Sequence, residues 1–296
     1  MVSGLKGQGS KQLPYQPHRT PFLDPRALLL FDIDGVIRDV GGSYRRAIVE
    51  TVHHYSGWRP DPAAIDSLKG EGCWNNDWEA SLELLRRRRQ ELPASLAGEP
   101  FALPELEALV AVFGGFYFGG DPEGDPAQWR GFIGAEPLLV DAAFFEQLEE
   151  AAIAWGFVSG AEPPSVRFVL ERRLGLADPP AIAMGQAPEK PDPTGLLQLA
   201  ERICRQRSGR GLGAGAPPVA YLGDTVADVQ TVQRARRALP QQAFLSLAVA
   251  PPHLHAPQLQ AQRQRYEAQL LEAGADRILA CTTAVLAAME ELLAGG

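Results

Sequence analysis

The stretch that decides the fold is Leu28–Asp39, LLLFDIDGVIRD. With Ala27 before it, the run is apolar as far as Phe31 and then meets Asp32 and Asp34, as a strand buried on both faces does on reaching the open edge of a parallel sheet. Two residues apart on extended backbone, the two carboxylates lie on one side of the chain and can address one site, and Gly35 permits a tight turn behind them. Such a pair suits phosphoryl transfer: one carboxylate binds a cation and attacks phosphorus while its neighbour manages a proton, helped by the like-charge proximity that keeps that neighbour protonated. An isolated DxDG is also an ordinary turn or helix cap, so its weight depends on the rest of the chain.

Working outward, apolar runs recur at Ile153–Val158, Ala181–Met184, Val219–Leu222 and Phe244–Val249. Each ends in polar, Gly or Pro residues, and helix-like stretches separate them. This alternation predicts an α/β fold, a Rossmann-like three-layer core with a mainly parallel sheet. From Gly41 to Pro137 nothing resembles a buried parallel strand, whereas Ser43–Tyr55, Asn76–Gln90 and Leu103–Phe113 have helical spacing, with a Gly- and Pro-rich loop over Gly114–Pro126. The expected organisation is a core of residues 27–40 and 138–296 interrupted by a helical cap at 41–137. Residues 1–26, rich in Gly, Pro and polar side chains and without the apolar segment of a secretory signal, read as a flexible leader.

A second acidic cluster lies in VAYLGDTVADVQT, Val219–Thr231, where Asp224 and Asp228 flank a strand-to-helix turn. Hard oxygen donors without nearby His or Cys favour magnesium over zinc, although GDT before a helix is on its own a plain N-cap. Between the clusters lie Ser159, with Gly160 beside it, at the end of a strand in AWGFVSGAE, and Lys190 in the Pro-bounded PEKPDP. A transferring phosphoryl group needs hydrogen-bonding and cationic partners of this kind for its equatorial oxygens. Alone, a serine there is usually a cap and a lysine usually solvated.

Taken together, DxDG, a hydroxyl ending a strand, a lysine and GDxxxD, in that order, resemble the haloacid dehalogenase-like hydrolase superfamily. The resemblance spans about residues 27–250, and the insertion after the first motif looks like the helical cap of the phosphoglycolate phosphatase and β-phosphoglucomutase branch. It implies Asp32 as nucleophile, Asp34 as general acid and base, and Ser159, Gly160 and Lys190 as the phosphate clamp. Asp224 would bind magnesium with Asp32 and the main-chain carbonyl of Asp34, and Asp228 would support the metal from close by. SGAEPP departs from the TGR or TGKP common after the second motif, which keeps the hydroxyl but not an arginine contact. In SLKGEGCWNNDWEAS the resemblance implies a substrate-specificity loop carrying Lys69, Asn75 and Asn76, against the alternative that its tryptophans pin a loop to a helix core.

Composition narrows the classes. Twenty-eight basic and 36 acidic residues give a net charge of −8, which argues against a nucleic-acid footprint, and no apolar run is long enough to span a bilayer. Cys73, Cys204 and Cys281 form no CxxC pair, which fits a reducing cytoplasm. Arg86–Arg89 reads as a solvated helix face, and His53, His54, His253 and His255 lack partners at metal spacing. The expected activity is magnesium-dependent hydrolysis of a small phosphorylated metabolite through an aspartyl phosphate. A phosphosugar mutase using the same motifs and a catalytically silent phosphometabolite-binding protein are the alternatives.

Overall fold

The structure is a computed structural model describing residues 24–69, 71, 74, 76–92 and 101–294. Among these residues six parallel strands form one sheet in the order β3-β2-β1-β4-β5-β6: β1 Ala27–Phe31, β2 Ile153–Val158, β3 Ala181–Ile182, β4 Val219–Gly223, β5 Phe244–Val249 and β6 Arg277–Leu279. Every residue of β1 is buried, because the strand is central and both faces of the sheet are covered.

The period-two alternation of β1 divides the core. Ala27, Leu29 and Phe31 face α5 (Ala142–Glu150), α6 (Pro163–Arg167, continuing as a π-helical segment Phe168–Arg173) and α10 (Val285–Ala294). Leu28 and Leu30 face α7 (Thr194–Ser208) and α8 (Val226–Ala238). On the first face, Phe145 sits among Phe31, Phe144, Trp155 and Phe157 with ring centroids 4.8–6.1 Å apart. A smaller cluster of Val229, Ala248 and Leu270 attaches α9 (Gln260–Glu272) to the far side of the sheet.

Between β1 and α5 the chain builds a helical insert: α1 Tyr44–Ser56, α2 Pro62–Lys69, α3 Asp77–Glu91 and α4 Leu106–Tyr117. It has its own apolar cluster, with Ile48 and Val52 of α1, Leu85 of α3 and Leu109 and Phe113 of α4 at its centre. The chain enters and leaves this insert side by side. Leu139 N donates to Ile37 O at 2.8 Å and Asp39 N to Pro137 O at 2.9 Å, so the two linkers form a narrow antiparallel ribbon at the edge of the core.

Three expectations are corrected locally. The third strand is two residues long rather than four, because Ala183 N turns to Gln186 Oε1 and Met184 N to Ala161 O instead of continuing the ladder. Helix α2, not foreseen, starts at Pro62 with Asp61 Oδ1 accepting from Ala64 N at 2.8 Å. Helix α4 runs through Gly114 and Gly115 to Tyr117, whose buried ring stacks on Tyr44 at 4.4 Å and extends the helix past its two weakest positions.

Truncating Phe145 to alanine removes the ring shared by four aromatic neighbours. It is expected to lower unfolding free energy by about 3–5 kcal/mol in urea titrations with an unchanged m-value.

Candidate active site

The site lies at the carboxyl ends of β1 and β4, adjacent strands whose following connections run to opposite sides of the sheet. This is the switch point at which open α/β sheets leave a crevice. Asp32 N donates to Leu222 O at 2.9 Å, carrying the sheet's register to the first acidic residue. Beyond it the chain coils tightly, with the amides of Val36, Ile37 and Arg38 all directed at Ile33 O, and Thr282 Oγ1 donates to Val36 O at 2.6 Å. Gly35 is required here twice over: its φ is +76°, and a Cβ would lie 2.0 Å from Asp224 Oδ2.

From β4, Asp224 enters the same space, its main-chain carbonyl accepting from Tyr266 Oη of α9 at 2.9 Å. Thr225 then caps α8 in a reciprocal box with Asp228: Asp228 N donates to Thr225 Oγ1, while Thr225 N and Oγ1 donate to Asp228 Oδ2. Gly223 makes this possible, since a Cβ there would lie 2.2 Å from Asp228 Cβ. The plain N-cap role is real, and it leaves the other oxygen of Asp228 for the site.

Lys190 closes the cluster. Its Nζ lies 2.6 Å from Asp228 Oδ1, 3.0 Å from Asp32 Oδ1 and 3.2 Å from Tyr221 Oη, and Tyr221 Oη is itself 2.9 Å from Val158 O and 3.0 Å from Asp228 Oδ1. Asp228 therefore holds the ammonium where it also reaches Asp32. Ser159 follows β2, next to β1; its N donates to Ile182 O and its Oγ accepts from Ala161 N at 3.1 Å, leaving the hydroxyl proton for another acceptor. Gly160 is exposed beside it.

Burial sets the electrostatics. It pushes the Asp32 carboxyl up to about 7, with Asp228 and Asp34 adding to the rise and Lys190 opposing it. Burial, reinforced by Asp228 and Asp32, likewise holds Asp224 well above the ordinary carboxylate range. For Asp228 burial acts upward too, but Lys190 and the Thr225 hydrogen bonds outweigh it and keep this carboxyl below its usual value. Lys190, disfavoured as a cation by burial, is held charged by Asp228 and Asp32. Asp32, Asp224 and Asp228 offer carboxylate oxygens within 4.8 Å of one another, with Lys190 Nζ 3.0 Å from Asp32 Oδ1. Three close carboxylates facing a single lysine, with no nitrogen or sulfur donor in the group, fit a hard divalent cation such as magnesium.

In the insert, Lys69 at the end of α2 pairs with Asp77, and Asn76 Oδ1 accepts from Trp78 N at 2.9 Å and Glu79 N at 3.1 Å as the N-cap of α3. Both hold the α2–α3 junction; Asn75 and the neighbouring Gly70 and Gly72 lie outside the described residues. Arg87 pairs with Glu71 and Glu83, and the Arg88 guanidinium lies 5.4 Å from the Trp58 ring centroid, while Arg86 and Arg89 are exposed.

Sequence reasoning missed Arg38, Tyr221 and Tyr266. Arg38 is completely buried and its Nε donates to Asp34 Oδ1 at 2.7 Å. An arginine directly after the DxDG turn was the available signal. The polar tip of Tyr221, two residues before the GD of the second cluster, was another.

The sequence over residues 27–236 matches the family described as haloacid dehalogenase-like hydrolase. The chain belongs to the haloacid dehalogenase-like hydrolases. Among curated proteins it is 29% identical over 207 residues to an imidazoleglycerol-phosphate dehydratase of Phytophthora nicotianae, a match covering 69% of this chain and spanning 40% of that relative's length. Among solved structures, the phosphatase Tt82 from Thermococcus thioreducens aligns with a TM-score of 0.55 and 24% identity over 73% of this chain and 91% of its own. A phosphonoacetaldehyde hydrolase like protein from Oleispira antarctica aligns with a TM-score of 0.59 and 16% identity over 95% and 99%. The likeness to these two solved structures is one of fold.

The raised carboxyls have a measurable consequence. Between the ordinary aspartate value of 3.8 and about 7, native Asp32 retains a proton that the unfolded chain has released, and Asp224 acts in the same direction. Stability in EDTA is therefore expected to fall as pH rises from about 5 to about 7. Asp224→Asn is expected to raise the thermal midpoint in EDTA at neutral pH, and to abolish the further rise that magnesium chloride gives the parent. Differential scanning fluorimetry with and without magnesium checks both signs.

Proposed function

We propose that this chain is a magnesium-dependent phosphoric monoester hydrolase that acts on a small phosphorylated metabolite through an aspartyl phosphate on Asp32. The observation that carries this reading is the buried pairing of Asp32 with Lys190 beside Asp224 and Asp228, at the switch point of the sheet. Membership of a hydrolase family and the likeness to a phosphatase fold support it. The substrate named for the Phytophthora relative, also a small phosphate ester, is compatible with the same class.

In this reading, an Asp32 carboxylate oxygen attacks phosphorus as the bond to the leaving oxygen breaks, and Asp34 gives its proton to that oxygen. Water then attacks the phosphoryl group, Asp34 takes a proton from it, and the phosphorus–Asp32 bond breaks to release phosphate and restore the enzyme. Lys190 and the Ser159 hydroxyl, with Gly160 leaving open space beside it, hold the equatorial oxygens. Asp32, Asp224 and the Asp34 carbonyl would hold magnesium, supported by Asp228, whose oxygens already serve Lys190, Tyr221 and Thr225. When bound, the ion offsets repulsion between carboxylate and phosphate.

Residues 41–137 would act as a cap over this site, on a core of 27–40 and 138–296. The junction carrying Lys69, Asn75 and Asn76 would supply contacts to the leaving alcohol. A free buried Cys204 and a free exposed Cys281 suit the reducing cytoplasm, and no helix among the described residues is long and apolar enough to cross a membrane.

Asp32→Asn is expected to lower kcat by on the order of 10³-fold or more on p-nitrophenyl phosphate and on a panel of sugar phosphates, in protein that urea unfolding shows to be folded. Near-parental turnover in the folded variant would contradict the covalent route. Formation of isomerised sugar phosphate by the parent when a bisphosphosugar is present, without net phosphate release, would favour the mutase instead.

A further inference from the structure

We propose that Arg38 is a positioning residue for the Asp34 carboxyl, and that Glu136 and Ser165 fix Arg38 in that task across the junction between the core and the helical insert. The inference rests on the phosphatase reading, in which Asp34 handles the proton.

Arg38 uses each nitrogen of its guanidinium on a different element. Nε donates to Asp34 Oδ1 at 2.7 Å, one nitrogen of the fork to Glu136 Oε2 at 2.9 Å and the other to Ser165 Oγ at 2.9 Å. Asp34 belongs to the turn after β1, Glu136 to the linker returning from the insert and Ser165 to α6 of the core. The second oxygen of Glu136 accepts from Ser43 Oγ and, at 3.3 Å, from Tyr117 Oη, which also lies 3.3 Å from Ser165 Oγ. Tyr117 stacks on Tyr44, whose ring centroid is 5.8 Å from the Arg38 guanidinium carbon. Both ends of the insert and the acid-base residue thus converge on one planar cation.

Burial shows why this is more than packing. The Arg38 and Glu136 side chains are 0% exposed, whereas Asp34 is 27% exposed. Desolvating an ion pair costs several kcal/mol, and apolar residues of similar volume commonly stabilise a fold as well or better. What apolar residues cannot do is aim a carboxyl. A guanidinium anchored at two corners presents its third N–H in one fixed direction. Asp34 Oδ1 is engaged by that donor, which leaves Oδ2 as the atom that gives and takes the catalytic proton. A carboxyl on a turn, two residues past the strand, would otherwise rotate freely about χ1 and χ2.

The test compares leaving groups. For kcat/KM, which reports the steps through formation of the phosphoenzyme, an alkyl phosphate needs a proton at its leaving oxygen, whereas p-nitrophenolate departs without one. The charge-balanced double variant Arg38→Met/Glu136→Gln avoids stranding a buried carboxylate, and Arg38→Lys keeps the charge with less directional control. Urea unfolding confirms that each is folded under assay conditions. We expect the ratio of kcat/KM for an alkyl phosphate to that for p-nitrophenyl phosphate to fall about 10-fold or more in the double variant, with Arg38→Lys between it and the parent. Equal losses on both esters in folded protein, or an unchanged ratio, would overturn the positioning role while leaving the phosphatase reading intact. If both variants fail to fold while the parent does, the cluster is structural and the proposal falls. A folded parent that hydrolyses neither ester would overturn the phosphatase reading itself and this proposal with it.

Discussion

Burying three carboxylates with oxygens within 4.8 Å of one another is electrostatically unfavourable, and much of the surrounding structure serves to hold them there. The parallel sheet delivers Asp32 and Asp224 from adjacent strand ends, so their approach is set by backbone hydrogen bonds rather than by side-chain choice. Lys190 supplies one positive charge and is itself held by Asp228, whose carboxylate is stabilised by the N-cap of α8. The repulsion that remains appears as raised carboxyls at Asp32 and Asp224. A site strained in this way gains most from a divalent cation and a phosphate whose charges complement it, which links the electrostatics of the site to the chemistry proposed for it.

The second charge cluster, around Arg38, differs in kind. In it the cation is fully enclosed, and its partners come from the nucleophile turn, the returning linker and α6. The two linkers also pair through their backbones, so any rearrangement of the helical insert must act on the same few residues that carry Asp34. Core chemistry and insert position are therefore physically adjacent, without a long relay between them.

Much of the core was legible because it rests on local pattern. The runs Ala27–Phe31, Ile153–Val158, Val219–Leu222 and Phe244–Val249 are strands within a residue of where apolar continuity places them, since a strand buried on both faces leaves an unbroken apolar record. The two acidic clusters were legible because each directly follows such a strand. β3 was overestimated because periodicity does not register the side chain of Gln186 drawing Ala183 out of the ladder. Helix α2 did carry a signal, Asp61 at the N-cap and Pro62 at the first helical position, obscured by its shortness. Arg38 carries a local signal in its place after the DxDG turn, but two of its three partners are 98 and 127 residues away and leave no trace in the local pattern. Likewise, Asn76 offers the same polar atoms to a ligand or to a helix terminus, and only coordinates reveal its bonds to Trp78 and Glu79.

The proposed function turns on covalent phosphorylation of Asp32, and the most direct measurement is to trap that species. The protein, saturated with magnesium and mixed with a phosphate ester carrying labelled phosphorus, is quenched in acid within the first turnover, digested with pepsin and mapped by mass spectrometry. A transient phosphoryl group is expected on the peptide containing Asp32, located on that carboxylate, lost on alkaline treatment and absent from Asp32→Asn. Turnover by the parent with no label on this peptide at any quench time, or label on another residue, would contradict the proposed function.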